Sequence, residues 1–268
     1  MQSEHFTKTA FYVVAHADDW QLFMQPNAYH DLVNSSCKVI FIITTAGDAG
    51  FVEKFWQARE EGTKSSIKFC LAPVKAISEA GGEKEFNGRP INYWTANNCT
   101  CYFLRLPDGN LDGTGFSRYG YQSLGKLKAG EIKKISAVDN STSYTTWADF
   151  LSTLQMIIEQ ESVEPDDRIV HYLNPDRTAN PNDHKDHMAT GQAVQDLPLI
   201  AQLPQALYVG YSLNNYDGYL DREGMFWKIA MFSAYEKAVY DSVGYSTLRE
   251  SIPTYWRWCT CKAHYTLN

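Results

Sequence analysis

The sequence predicts an α/β fold in which a mainly parallel central sheet lies between two layers of helices, a Rossmann-like three-layer sandwich. Short apolar runs with many β-branched and aromatic residues alternate with longer amphipathic segments along the chain. The run 39–45 is continuously apolar, as expected of a strand that helices cover on both faces. Strands joined through helices in this way imply right-handed crossovers.

Turn and capping residues mark the limits of the predicted elements. Pro26 suits the first position of a helix, because the N–H that proline lacks is not needed there. Thr146 to Asp149 resembles a capping box before an amphipathic run. We expect 81–106 to form a hairpin and 109–144 an extended surface loop with at most one short strand. The predicted strands are 11–15, 39–45, 99–106, 168–173 and 206–212, and the predicted helices are 26–34, 51–71, 147–162 and 226–239.

Length and charge restrict the class of protein. The 268 residues fit one domain spanning 1–268, which is long enough to bury a sizeable core. A net charge of −7 argues against a nucleic-acid partner, which would require a basic surface. Neither a signal peptide nor an apolar run of membrane-spanning length is recognisable, so we expect a cytoplasmic protein without stable membrane insertion. The six cysteines, which include two Cys-Thr-Cys triplets, are expected to be reduced thiols.

The first predicted strand ends in a histidine followed by two carboxylates. His16 and Asp19 are three residues apart where the strand leads into a helix, so both side chains can point to one side of the turn. Imidazole nitrogen and carboxylate oxygen are ligands of catalytic zinc, and Asp18 could act as a base. An ordinary helix N-cap explains the same three residues. A metal site would also need a third ligand from elsewhere in the chain.

A second histidine cluster follows the predicted strand 168–173. His184 and His187 lie three residues apart at a predicted helix start, so one could bind a metal while the other faces a substrate. A solvated turn is the alternative. Sites in open α/β sheets form outside the carboxyl ends of the strands, and the two clusters would meet if the first and fourth major strands were neighbours. A dinucleotide enzyme is rejected, because no Gly-x-Gly-x-x-Gly follows the first strand.

Together, residues 15–19 and 184–187 resemble the paired signature of the PIG-L (LmbE-like) family of zinc-dependent N-deacetylases, Ala-His-Pro-Asp-Asp-Glu and His-Pro-Asp-His. Weaker resemblances are the glycine-containing loop 45–50, the Arg-Glu pair at 59–60 and the loop 106–109. The chain departs from the family at four positions, which concern the substrate rather than the metal ligands. They are Ala17 and Lys185 in place of prolines, and Trp20 and Gly62 in place of glutamates.

The resemblance implies roles for individual residues. His16, Asp19 and His187 would bind Zn²⁺. Asp18 would be the general base, and His184 would donate to the developing oxyanion if it is protonated. Two further acidic residues are candidates for orienting the imidazoles through proximity alone, namely Asp183 and Asp186.

Three residues are expected to contact the substrate, and each has a simpler explanation. Arg59 matches the family position but could be a solvated helix charge. Asp108 lies in a Pro-Asp-Gly turn, which turn chemistry alone explains. Trp20 could stack on a sugar, although most aromatic side chains serve core packing.

The implied function is hydrolysis of an N-acetyl group from an N-acetylglucosamine-type amino sugar or a related acetylated amine. The alternatives are a zinc amidase that cleaves a different amide and a metal- or sugar-binding protein without catalysis. Iron or cobalt could occupy the same ligands. Homo-oligomerisation stays open, and the aromatic segment 255–258 could cap the pocket or lie at a subunit interface.

Overall fold

The computed structural model describes residues 6–51, 54–74, 76–163, 167–250 and 252–268. Its strands are β1 Lys8–Val14, β2 Cys37–Thr45, β3 Glu79–Phe86, β4 Arg89–Ala96, β5 Cys99–Leu106, β6 Ile135–Ser136, β7 Ser143–Tyr144, β8 Arg168–Leu173, β9 Gln205–Tyr208 and β10 Tyr265–Leu267. Its α-helices are α1 Asp19–Phe23, α2 Asn27–Val33, α3 Phe55–Leu71, α4 Leu124–Ala129, α5 Trp147–Glu161, α6 Lys185–Gln195, α7 Arg222–Val243 and α8 Ile252–Thr260.

Eight strands form one sheet in the order β10-β9-β8-β1-β2-β5-β4-β3. Strands β9, β8, β1, β2 and β5 are parallel, whereas β10, β4 and β3 pair antiparallel at the two edges. The predicted mainly parallel sheet is therefore confirmed. Strands β1 and β8 are direct neighbours, with Tyr12 opposite His171, which places the loops after both strands at the same edge.

Helices cover both faces of the sheet and create two hydrophobic cores. Alternate residues of β1 point to opposite faces: Tyr12 and Val14 enter the core beneath α1, α2, α3, α7 and α8, while Phe11 and Val13 enter the core beneath α4, α5 and α6. Strands β1 and β2 are buried on both faces, which explains their continuously apolar sequences. This is the expected three-layer sandwich.

Several local predictions differ from the structure. Residues 81–106 form parts of three antiparallel strands, β3, β4 and β5, because Asn87 and Asn97 each adopt positive φ in a two-residue turn. The expected loop 109–144 contains α4 and the β6–β7 pair. The predicted strand 206–212 ends at Tyr208, where the chain turns into a 3₁₀ helix.

The predicted helices 26–34, 147–162 and 226–239 correspond to α2, α5 and α7, although α7 is longer than expected. The predicted helix 51–71 corresponds to α3, but part of its predicted start, 52–53, lies outside the described residues. Among the described residues, no helix has both the length and the apolar character needed to cross a membrane. All six cysteines are free and buried.

Helix α5 offers a direct test of the capping prediction. The Thr146 side chain accepts a hydrogen bond from the Asp149 N–H at 3.1 Å, so Thr146→Ala should reduce the free energy of unfolding by about 1 kcal/mol. Urea denaturation of the two proteins measures this difference. The adjacent Thr145→Ala is the matched control, and equal losses in both variants would contradict the capping role.

Candidate active site

Two segments separated by more than 160 residues meet at the carboxyl edge of the parallel sheet. His16 follows β1 and Asp19 begins α1, whereas His187 lies in the first turn of α6, after β8. The pairing of β1 with β8 brings these turns together. The three side chains are almost completely buried, with exposed fractions of 5%, 2% and 1% respectively.

The three side chains form a compact triangle of potential ligand atoms. His16 Nδ1 lies 3.1 Å from His187 Nε2 and 3.6 Å from Asp19 Oδ1, and His187 Nε2 lies 3.1 Å from Asp19 Oδ1. Ligands at about 2.0–2.1 Å from a tetrahedral zinc ion are about 3.3 Å apart. Two nitrogens and one carboxylate oxygen with this spacing fit a catalytic metal site that keeps an open coordination position.

Hydrogen bonds hold the Asp19 carboxylate in place. Its Oδ2 accepts from the backbone N–H groups of Ala15 and His16, at 3.0 and 2.8 Å. Oδ1 is therefore the oxygen that faces the two imidazoles. The nearby imidazoles outweigh the effect of burial and lower the pKa of Asp19 well below its usual range, so the carboxylate is ionised.

Asp183 fixes the orientation of His187. Its Oδ1 lies 2.9 Å from His187 Nδ1 and also accepts from the backbone N–H groups of His184 and Tyr211. Its Oδ2 accepts from the Asn180 amide at 2.6 Å. Because Asp183 is an acceptor, His187 keeps a proton on Nδ1, and Nε2 is the nitrogen that faces the triangle. The Asp19 and Asp183 carboxylates outweigh burial and raise the pKa of His187 well above its usual range, so a metal would displace the Nε2 proton.

Asp186 has the corresponding place beside His16. Its Oδ2 lies 3.4 Å from His16 Nε2 and accepts from the Gly109 N–H at 2.8 Å. This contact places the His16 proton on Nε2 and leaves Nδ1 free for a metal. A Cβ at Gly109 would lie 2.4 Å from Asp186 Oδ1, so the close approach of this loop requires glycine.

His184 is held as a hydrogen-bond donor toward the cavity. It caps α6, and its Nδ1 accepts the Asp186 N–H at 3.1 Å. The neutral imidazole therefore carries its proton on Nε2, which lies 3.8 Å from Asp108 Oδ1. Burial, reinforced by the neighbouring His16, lowers the pKa of His184 to about 4. The structure thus changes the expectation that His184 must be protonated in order to donate.

A second His/Asp cluster with metal-ligand spacing comprises His16, Asp108, His184 and Asp186. His16 is shared with the triangle, His184 Nδ1 already accepts the Asp186 N–H, and His16 Nε2 faces the Asp186 carboxylate. These contacts favour the triangle as the metal site.

Asp18 lies beside the triangle in a contact with Arg59. The Arg59 guanidinium contacts Asp18 Oδ1, and it donates to the Gly47 carbonyl at 2.6 Å and to the Tyr235 hydroxyl at 2.8 Å. Gly47 adopts positive φ, and a Cβ there would lie 2.7 Å from the guanidinium. Arg59 is therefore anchored in the protein and orients Asp18.

A cavity of about 500 Å³ joins these side chains. Its lining has a polar part and an aromatic part. The polar wall comprises His16, Asp18, Asp19, Arg59, Asp108, Asn110 and His184, and the aromatic wall comprises the rings of Phe23, Phe116, Tyr211, Tyr255 and Trp258. Tyr255 and Trp258 of the segment 255–258 thus line the cavity.

Trp20 is not where the prediction placed it. Its side chain is completely buried in the core, with its ring 4.8 Å from that of Phe41. All five residues of α1 are buried, and the residue after Asp19 packs into the core instead of lining the cavity. The expected substrate contact by Trp20 is therefore wrong.

Sequence reasoning missed two tyrosines of the site. The Tyr235 hydroxyl on α7 accepts a hydrogen bond from Arg59. Tyr211 belongs to the aromatic wall, where its ring stacks on that of Trp258 with 4.9 Å between the ring centres. Neither belongs to a recognisable motif. The signal for Asp183 was its position four residues before His187, which places both on one side of a helix turn.

The fold and the buried cluster define an α/β protein with a candidate His/Asp metal site at the carboxyl edge of a mainly parallel sheet. The sequence profile described as "PIG-L: GlcNAc-PI de-N-acetylase" matches residues 11–197, more than half of the chain. The chain belongs to the PIG-L family. The matched segment ends before Tyr211, Tyr255 and Trp258.

Solved structures with a similar fold include the N,N'-diacetylchitobiose deacetylase from Pyrococcus horikoshii, at 14% identity and a TM-score of 0.49, with 97% of this chain and 84% of that chain covered. The zinc-inhibited form of the teicoplanin deacetylase Orf2 has 11% identity and a TM-score of 0.48, covering 87% and 85%. The 4-carboxy-2-hydroxymuconate hydratase GalB from Pseudomonas putida KT2440 has 11% identity and a TM-score of 0.39, covering 94% and 83%. No curated protein shows a significant sequence match.

The contact between Asp183 and His187 should control metal affinity. Asp183→Asn replaces an anionic acceptor with a neutral one and should weaken zinc binding about 10- to 100-fold. Competition with a chromophoric chelator measures this constant. The exposed Asp176→Asn is the matched control, and unchanged affinity in Asp183→Asn would remove Asp183 from this role.

Metal affinity should also rise with pH above neutrality. Burial opposes protonation of His16, but the Asp19 carboxylate and the contact with Asp186 outweigh it and raise the pKa of His16 to about 9. A metal must displace this proton and the one on His187, whose pKa the Asp19 and Asp183 carboxylates also raise against the effect of burial, so affinity should increase about tenfold per pH unit for each proton released, from neutrality to about pH 9. The same chelator competition across this range, corrected for chelator protonation, measures the slope. A flat profile would contradict it.

Proposed function

We propose that this protein is a zinc-dependent hydrolase that removes the N-acetyl group from an amino sugar or a related acetylated amine. The observation that carries the proposal is the placement of Asp18 and His184 in one cavity with His16 and Asp19, two members of the triangle that His187 completes. A closed structural metal site would have no use for a carboxylate and an N–H donor beside it. Membership of a family described as a de-N-acetylase supports the same reaction.

Each of the proposed site residues has a separate role in the reaction. Zinc held by the triangle would polarise the amide carbonyl and make a water molecule acidic. Asp18 takes a proton from the attacking water and delivers it to the leaving amine, as general acid–base catalysis requires. His184 donates its Nε2–H to the oxygen on which negative charge develops.

Arg59 supports this mechanism as a positioning residue. Its contacts with Gly47 and Tyr235 keep the guanidinium fixed, and the guanidinium in turn holds Asp18 Oδ1. The other oxygen, Asp18 Oδ2, stays available for proton transfer. Arg59 is nearly buried, so its charge acts on Asp18 with little screening by solvent.

The aromatic wall favours a sugar over a simple alkyl amine. Tyr211, Tyr255 and Trp258 combine apolar ring faces with polar tips, and a pyranose ring likewise has apolar faces and hydroxyl edges. A cavity of about 500 Å³ also exceeds what an acetyl group alone would fill. Asp108, whose two oxygens accept from the Ala49 and Asn110 N–H groups, lines the same cavity and is proposed to contact the substrate.

Substitution of the proposed base separates catalysis from metal binding. Asp18→Asn should reduce kcat about 10²- to 10⁴-fold, because the amide cannot accept the proton from water, while elemental analysis should still find one zinc per chain. The exposed Asp217→Asn is the control. Turnover at the wild-type rate in Asp18→Asn would exclude Asp18 as the base.

A substrate panel decides between the proposed reaction and its rivals. Release of acetate from N-acetylglucosamine-type compounds supports deacetylation, whereas release of larger acids supports an amidase of different specificity. Zinc-loaded protein that turns over neither class would be a binding protein. The free, buried cysteines fit the further proposal of a cytoplasmic location.

A further inference from the structure

A second cavity lies directly beside the active-site cavity. Its volume is about 470 Å³, and the loop 110–114 runs between the two. Asn110 and Leu111 line the active-site cavity, whereas Asp112 to Thr114 line the second one. At the start of α6, His184 likewise faces the first cavity and Lys185 the second.

We call the second cavity the basic groove, because its lining is cationic in a chain whose net charge is −7. Four of its lining residues carry positive charge and two carry negative charge. The cationic residues are Lys126, Lys128, Arg177 and Lys185, and the acidic residues are Asp112 and Glu131. Local charge of this sign attracts anions even when the whole protein repels them.

Most of this positive charge lacks a carboxylate partner. Within the part of the chain that the structure describes, Lys128 is the one of the four cations that forms an ion pair, with Asp196 at 2.7 Å. Lys126 Nζ is held between the carbonyls of Thr114 and Tyr121, at 2.7 and 2.9 Å. The backbone thus positions this ammonium group. Lys126 also acts on the exposed Asp112 carboxylate, whose pKa is lowered mainly by hydrogen bonds from Thr114 and further by the Lys126 charge.

The other two cations have no acidic partner among the described residues. Lys185 Nζ approaches only the Met188 sulfur, at 3.8 Å, and no ion pair or hydrogen bond joins the Arg177 guanidinium to another described residue. Gly113 packs against the Lys185 stem, where a Cβ would lie 3.2 Å from Cγ. The loop thereby directs Lys185 along the groove.

The position of Lys185 is locally unfavourable. It is the first residue of α6, where the helix dipole destabilises a positive charge. The Asp186 carboxylate of the same turn does not offset it, because that carboxylate faces Gly109 and His16 on the other side. An anion in the groove would compensate both the lysine and the helix terminus.

We propose that the basic groove binds a phosphate-type oxyanion through Lys126, Arg177 and Lys185. A planar guanidinium and two ammonium groups provide the charge-assisted donors that such an anion requires. The anion site does not depend on the proposed hydrolysis. Where that function holds, the groove is close enough to the active site to take a phosphate group carried by the acylated substrate, and a separate phosphate ligand is the other source.

Binding of inorganic pyrophosphate tests the site without any turnover. Isothermal titration calorimetry at low ionic strength should detect one site per wild-type chain, weakened as salt is added. Lys185→Gln and Arg177→Gln should each weaken binding at least about threefold, and the double variant about tenfold. Lys237→Gln, which removes an equally charged lysine from the exposed side of α7, should bind as wild type does.

Two results would overturn the proposal. Wild-type protein that binds no pyrophosphate would reject the site, and binding that both groove variants retain would place the anion elsewhere. Since Lys185 and Arg177 are at least partly exposed, their variants should keep the wild-type melting temperature, which a thermal scan checks.

Kinetics then identify the source of the anion. Wild type is compared on N-acetylglucosamine and on its phosphorylated derivatives. A preference for the phosphorylated substrate that Lys185→Gln reduces, with unchanged kcat/KM on the neutral sugar, assigns the anion to the substrate. Pyrophosphate binding without such a preference assigns it to a separate ligand. Absence of turnover on every substrate bears on the proposed function alone, because the calorimetry is independent of it.

Discussion

The parallel pairing of β1 with β8 is the constraint on which the rest of the site depends. It places Tyr12 opposite His171, and so it brings the turn that carries His16 to the turn that carries His187. Parallel neighbours end at the same edge of a sheet. The two strands are buried by helices on both faces, and a one-residue slip in their register would turn each side chain to the opposite face. The packing of the core therefore fixes the positions of the three side chains in the triangle.

Carboxylates then distribute the protons within the site. Asp183 favours a proton on Nδ1 of His187, and Asp186 favours a proton on Nε2 of His16. Nδ1 of His184 accepts the Asp186 N–H at the start of α6, so the proton of that imidazole is on Nε2. As a result, His16 Nδ1 and His187 Nε2 are the nitrogens that face the triangle, where a metal would replace their protons, and His184 directs a donor into the cavity. Three histidines of identical chemistry thus have different roles, because each has a different neighbour.

The residues that line the cavity come both from the segment that the PIG-L profile matches and from the chain after it. The polar wall lies mainly within the segment that the PIG-L profile matches, 11–197. The aromatic wall contains Tyr211, Tyr255 and Trp258, which follow that segment. The profile match thus covers the polar wall, whereas these three residues of the aromatic wall lie outside it. Lys185, where the resemblance expects a proline, lines the basic groove.

Sequence by itself determined the mainly parallel α/β fold, strand β8, the capped helix α5 and the two histidine clusters. These features depend on the spacing of hydrophobic residues and on turn residues, both of which involve only neighbouring positions in the chain. The sequence wrongly placed Trp20 at the cavity, and it did not indicate the contact between Tyr235 and Arg59. Whether a side chain faces the core or the cavity depends on the residues that pack against it. Only the tertiary structure decided the tautomers and the partner of Arg59. Those depend on contacts between residues far apart in the chain, such as Arg59 with Tyr235, which no local pattern encodes.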